Sequence, residues 1–125
     1  MDQVIRAALE RSKRIYLTTY GRSGKSGTVP VWFLWTGDAL FFTTRRASLK
    51  ARRIGATGRA SVHVGRADGP RFEAMAEFTD DPAVRSLILA TYPRRYRLGW
   101  LAIGRGIKRR TQSGESVIVK LTRVE

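Results

Sequence analysis

Two threonines, a serine and a lysine are the residues best spaced to act together in this chain: Thr43, Thr44, Ser48 and Lys50. The chemistry they suit is the holding of an anion. Thr43 and Thr44 follow Leu40-Phe41-Phe42, whose aromatic, apolar character predicts a half-buried strand. Ser48 is a candidate helix N-cap, its hydroxyl placed to accept from an amide one turn on. Hydroxyls at a strand end, free amides at a helix start and the full charge of Lys50 would cradle a phosphate or carboxylate. Ala47, Ala51 and Ile54 recur at i, i+4 and i+7 and predict the buried side of the helix, while Arg46, Lys50 and Arg53 repeat on another face. Alone, this pattern fits a solvated basic helix face equally well; the rest of the chain favours a site.

Other chemistries find less support. Cysteine is absent, which removes a thiol nucleophile, a disulfide framework and cysteine-held clusters or zinc. One histidine, His63, is too few for a typical zinc cage. It is the sole imidazole that could ligate haem iron, although a lone histidine on a strand is more commonly structural. Gly24-Lys25-Ser26 has the look of a P-loop ending, but the motif needs glycine where Thr19 stands and must open a helix, whereas Thr28 to Thr36 is strand-like. An NTPase is therefore rejected, and Gly21 to Gly27 is read as a hairpin loop. Glu73 and Glu77 share a strand face with Arg71, which predicts surface pairing and not acid–base work.

Charge is the strongest global signal. Twenty-four Lys and Arg against ten acids give a net +14. No acid interrupts the chain between Asp38 and Asp68 or between Asp81 and Glu115. Such stretches attract nucleic acid, an anionic surface or a polyanionic small molecule. A hydrophobic content of 42% in 125 residues predicts one folded domain over residues 1–125, and no apolar run is long enough for a bilayer span. The absence of a signal-peptide pattern gives the expectation of a soluble, cytoplasmic protein with no membrane partner.

The elements that must position these residues follow in order. A helix is expected over Asp2 to Lys13, with Val4, Ile5, Ala8 and Leu9 on its apolar edge. Strands follow at Ile15 to Tyr20 and at Thr28 to Thr36, the latter containing Pro30, which implies an edge, a bulge or an interrupted ladder. Thr36-Gly37-Asp38 turns into the strand ending at Thr43-Thr44, and the next helix runs from Ser48 to near Gly55. Arg59 to Arg66 and a strand placing Phe72, Ala74, Ala76 and Phe78 on one face come next. Asp81-Pro82 starts a helix burying Val84, Leu87, Ile88 and Thr91. Tyr92 to Gln112 reads as a functional loop, or a short helix followed by one. Ser116 to Val124 is the last strand, with Val117, Val119 and Leu121 inward. The sum is a mainly β (α+β) chain: a six-stranded antiparallel split β-barrel with short helices.

On this pattern the sequence resembles the pyridoxamine-phosphate-oxidase-like, FMN-binding split-barrel superfamily and, within it, small enzymes that use the deazaflavin coenzyme F420. The matching residues are Leu17-Thr18-Thr19, Gly27 to Phe33, Phe42-Thr43-Thr44, Ser48, Lys50-Ala51, Ile54 and Arg123-Val124. The resemblance implies that Thr43, Thr44, Ser48 and Lys50, with Arg53 one turn on, hold the cofactor phosphate. It implies that the ring lies against Pro30, Val31 and Trp32. It also implies a homodimer with cofactor sites at the subunit interface, where the partner copy of Trp100 or Arg105 closes a site. Flavin oxidases of this superfamily usually place arginine directly before the lysine; Leu49 stands here, which weakens an FMN phosphate site more than a deazaflavin one. The reading is thus a hydride-transferring oxidoreductase using F420, with FMN as the alternative cofactor, a small organic molecule as substrate, and Arg46, Arg52 or Arg53 beside the glutamate tail of F420. Alternatives are a split barrel that carries FMN or haem without turnover, or a nucleic-acid-binding barrel using Tyr92-Pro93-Arg94-Arg95-Tyr96-Arg97; the latter lacks any RNP-like or helix-turn-helix pattern.

Overall fold

A computed structural model describes residues 2–124. Its seven strands form one antiparallel sheet: β1 (Ile15–Tyr20), β2 (Ser26–Val31), β3 (Leu34–Trp35), β4 (Leu40–Arg45), β5 (Arg59–Val64), β6 (Arg71–Thr79) and β7 (Ser116–Arg123). The hydrogen-bonded order is β2-β1-β5-β6-β7-β4-β3. The two edges are thus consecutive in the chain. In a flat sheet they would lie roughly 29 Å apart at about 4.8 Å per strand. Val31 and Leu34 can span at most about 11 Å, so the sheet must roll into a barrel whose seam is crossed at Trp32-Phe33.

That crossing is where the expected six strands become seven. A single strand over Thr28 to Thr36 would keep its ladder throughout; instead pairing with β1 stops at Val31, opposite Ile15, and pairing with β4 begins at Leu34, opposite Phe41. Pro30 lies in β2, an outer edge of the sheet, where its missing donor costs the ladder nothing.

The barrel interior is filled from alternate positions, among them Ile15 and Leu17 of β1, Phe42 of β4, Val62 of β5 and Leu121 of β7. Helix α1 (Gln3–Arg11) adds Ile5, Ala8 and Leu9, and helix α2 (Leu49–Thr57) adds Ile54. Asp2 caps α1 by accepting from the Val4 amide at 2.8 Å, and Asp81 with Pro82 opens α3 (Pro82–Arg95). Helix α2 runs past Gly55 to Thr57 because its left-handed terminator is Gly58, at φ +64°.

Several side chains depart from the expected faces. Val4 is exposed, as are Ala47 and Leu87. Phe78 lies beyond the barrel's inward row and is exposed, its ring against Gly55. Ile118, between the inward pair Val119 and Val117, is buried on the opposite side.

The largest departure is Tyr92 to Gln112, which is helical and not a loop. Helix α3 continues through Pro93 to Arg95, and α4 (Arg97–Ser113) follows after Tyr96. The two helices cover the outer side of the barrel: Ile88, Tyr92 and Tyr96 pack on Leu34, Ala39, Phe41 and Ile118. The three glycines and seven cations of this stretch concealed a helix whose stability comes from tertiary packing.

Candidate functional site

The site is built around the seam. With no neighbouring strand, the Trp32-Phe33 backbone needs other partners, and two tyrosines of α3 and its C-cap supply them. The Phe33 amide donates to the Tyr96 hydroxyl at 3.0 Å, and that hydroxyl donates back to the Phe33 carbonyl at 3.2 Å. The Tyr92 hydroxyl donates to the Trp32 carbonyl at 3.2 Å. Tyr96 also stacks on Trp32, the ring centroids 4.3 Å apart and the planes 4° from parallel. Burial pushes the Tyr92 phenol far above its ordinary range, with Tyr96 adding to the shift and Arg95 opposing it. It therefore stays a neutral donor. Both tyrosines are committed to backbone, which leaves neither as a proton source for a substrate.

Gly99, in the first turn of α4, is required by this arrangement. A Cβ there would lie 2.5 Å from the Trp32 ring, so only glycine lets the helix pass so close. From sequence alone this glycine falls inside the open choice of loop or short helix over Tyr92 to Gln112; its role depends on a ring sixty-seven positions upstream.

Beside the held peptide lies a cleft of about 390 Å³, within the size range of small-molecule sites. Seven of the eight residues singled out from the sequence line it: Pro30, Val31, Trp32, Thr43, Thr44, Ser48 and Lys50. Arg53 does not. It lies in a separate groove with Arg52, Lys25 and the β1–β2 turn, its guanidinium close over Gly27. The spacing that grouped Arg46, Lys50 and Arg53 fails because Arg46 precedes the helix and donates to the Gly114 carbonyl at 3.1 Å.

Within the cleft the hydroxyls are ordered by the helix start. Ser48 accepts from the Ala51 amide at 3.1 Å and lies 2.9 Å from the Thr44 hydroxyl. The amides of Leu49 and Lys50, the first two of α2, have no intrahelical partner by position. Lys50 is half-buried, and desolvation lowers its pKa. Residues missed by sequence reasoning complete the walls: Arg45, Ser116, and Ile103, Ile107 and Arg110 from α4. Arg45 and Arg110 also border an adjoining hollow of about 430 Å³ with Arg46, Ala47 and Glu115. The two ion pairs found among the described residues are Arg66–Asp68 and Arg71–Glu73, the second as expected, so none of the cleft cations belongs to one.

Donor set and shape fit an anionic ring-bearing cofactor. Cations and hydroxyls (Arg45, Lys50, Arg110, Thr43, Thr44, Ser48) share the cleft lining with the outer edge of β2 and the apolar side chains of Ile103 and Ile107. His63 is not among the cleft residues; it sits on β5, opposite Tyr16 and Arg71, with its Nδ1 buried and unpartnered. No cluster of three or more His, Asp or Glu side chains that could hold a metal occurs among the described residues, and no described helix is long and apolar enough to cross a membrane. Tyr92 and Tyr96 are buried, so the aromatics that would stack nucleic-acid bases are unavailable for it.

A rolled antiparallel sheet, with α3 and α4 covering its outer side and an anion-suited cleft at its seam, defines a split barrel. The chain belongs to the pyridoxamine 5'-phosphate oxidase family, whose model matches residues 1–123. Solved structures share the fold at low identity. HutZ, the haem storage protein from Vibrio cholerae, is 15% identical over 97% of this chain and 88% of its own, with a TM-score of 0.73. An F420 reductase is 20% identical over 96% and 93%, with a TM-score of 0.64. A putative pyridoxamine 5'-phosphate oxidase from Listeria innocua is 18% identical over 97% and 91%, with a TM-score of 0.71. No functionally curated protein matches the chain in sequence.

Proposed function

We propose that this protein is an F420-dependent oxidoreductase acting on a small organic molecule, with FMN as the alternative cofactor, and that it works in the cytoplasm as a homodimer. The observation that carries the reading is the meeting in one cleft of Thr43, Ser48 and half-buried Lys50 with the unpaired edge at Pro30–Trp32. When bound, the coenzyme supplies hydride transfer at its ring. Lys50 neutralises the phosphate, and the Thr43 and Ser48 hydroxyls donate to it. The Trp32 peptide, fixed by Tyr92, positions the ring, while Ile103 and Ile107 give it an apolar wall.

Two features favour deazaflavin over flavin. Leu49 stands where an FMN phosphate site usually has a second cation. The hollow lined by Arg45, Arg46 and Arg110 adjoins the cleft and, with three cations against the one acid Glu115, suits a carboxylate tail. Arg46 is thus retained as a tail contact and Arg53 is a weaker candidate. Trp100 packs within its own chain, against the outer cluster that holds Ile88, Tyr92 and Tyr96, whereas Arg105 is exposed as a residue reaching into a partner must be.

The test is a fluorescence titration with F420 and with FMN. F420 should bind more tightly, and Lys50→Ala should weaken it about ten-fold or more through loss of one charge-assisted contact. Equal affinity of the variant would refute the site. A Soret band in the purified protein would instead select haem.

A further inference from the structure

A second cavity also borders Trp32. It measures about 640 Å³, larger than the candidate cofactor cleft, and Trp32 lines both. Lys13 and Arg14, in the turn between α1 and β1, form one wall; Arg94 and Arg95 of α3 and Arg97 of α4 form the other. No acidic residue lines it, and none of these five cations belongs to an ion pair among the described residues.

The cluster is held together. The Arg95 guanidinium donates to the Ser12 carbonyl and, through Nε, to the Tyr96 hydroxyl at 3.1 Å, and lies over the Phe33 ring at 4.6 Å. Arg95 thereby ties the two walls to each other and is itself used up. Lys13, Arg14, Arg94 and Arg97 remain exposed, with Arg94 steadied by the Ala90 carbonyl at 3.2 Å. Four free cations from three segments converge on one concavity, where they repel one another unless an anion joins them.

We propose that this cavity is an oligophosphate-binding site, separate from the cofactor cleft, taking a chain of two or more phosphates between Lys13-Arg14 and Arg94-Arg97. A phosphate chain matches the site better than a nucleic-acid strand, because Tyr96 is buried and takes up one face of Trp32, which leaves no series of exposed rings for successive bases. Arginine pairs recognise phosphate oxygens in two-pronged fashion, which Arg94 and Arg97 are placed to do.

Isothermal titration of tripolyphosphate into the intact protein at about 0.15 M salt tests this, a strength at which diffuse attraction is screened within about 8 Å. Wild type should show a saturable site in addition to any binding at the Lys50 cleft. Arg94→Gln with Arg97→Gln should weaken it about ten-fold or more. Lys108→Gln with Arg109→Gln removes the same charge from α4 outside the cavity and should change affinity less than two-fold. Lys50→Ala should leave it unaltered. Equal weakening by both double variants, loss of binding in Lys50→Ala alone, or absence of a saturable site would each overturn the proposal. Tighter binding of ATP than of tripolyphosphate would support a nucleotide as the source, and equal binding would support a free oligophosphate.

Discussion

The barrel wall and the seam solve one problem by different means. Along the wall, every strand from β1 through β5, β6 and β7 to β4 pairs on both sides, and backbone groups are satisfied by register. At Trp32-Phe33 register ends, and side-chain hydroxyls from sixty residues away take over. A wall of paired strands is rigid but offers a ligand no open backbone. The seam leaves a strand edge free beside a cleft while keeping its peptides fixed, the rigid and open backbone on which the proposed cofactor site depends.

This contrast is open to measurement in urea unfolding. The largest loss should come from the wall: Leu17→Ala, emptying a fully buried position, should cost about 2–5 kcal/mol with an unchanged m-value. Tyr96→Phe should cost about 2–3 kcal/mol, since the Phe33 amide and carbonyl both lose their buried partner while the stacked ring remains. A loss below about 0.5 kcal/mol, the scale of an ordinary surface change, would mean the seam is held by packing alone. Tyr92→Phe, which frees one carbonyl, should cost about 1 kcal/mol.

The smallest effect on stability belongs to the cleft. Lys50→Met should leave stability nearly unchanged at neutral pH while F420 affinity falls. Its pH dependence carries a definite sign. Burial lowers the Lys50 pKa below 10.5, so between the folded and unfolded values the unfolded chain binds more protons. Wild-type stability should therefore rise relative to Lys50→Met as pH climbs toward 10.5, and F420 affinity should fall over the same window. A difference that stays flat from pH 7 to above 10.5 would contradict the desolvated lysine.

Local pattern was enough for much of the scaffold. Alternation placed Ile15, Leu17, Val62 and Leu121 inside the barrel, and Asp2, Ser48 and Asp81 each cap the helix their position announced. It failed where distance in sequence intervenes. Arg53 shares a helical spacing with Lys50 yet faces the β1–β2 turn, because spacing gives a face and not what lies opposite it.

The sequence alone determined which residues could be buried in strands, where helices begin, and that hydroxyls and a lysine would sit near each other at one strand end. These follow from periodicities of two and 3.6 residues and from capping, which act over a few bonds. The tertiary structure decided that the second strand breaks, that Tyr92 and Tyr96 mend the break, and that α4 with Ile103, Ile107 and Arg110 walls the cleft. Those outcomes depend on which surfaces meet when the sheet closes. Sheet closure is set by the packing of the whole core and leaves no trace in any short stretch of chain.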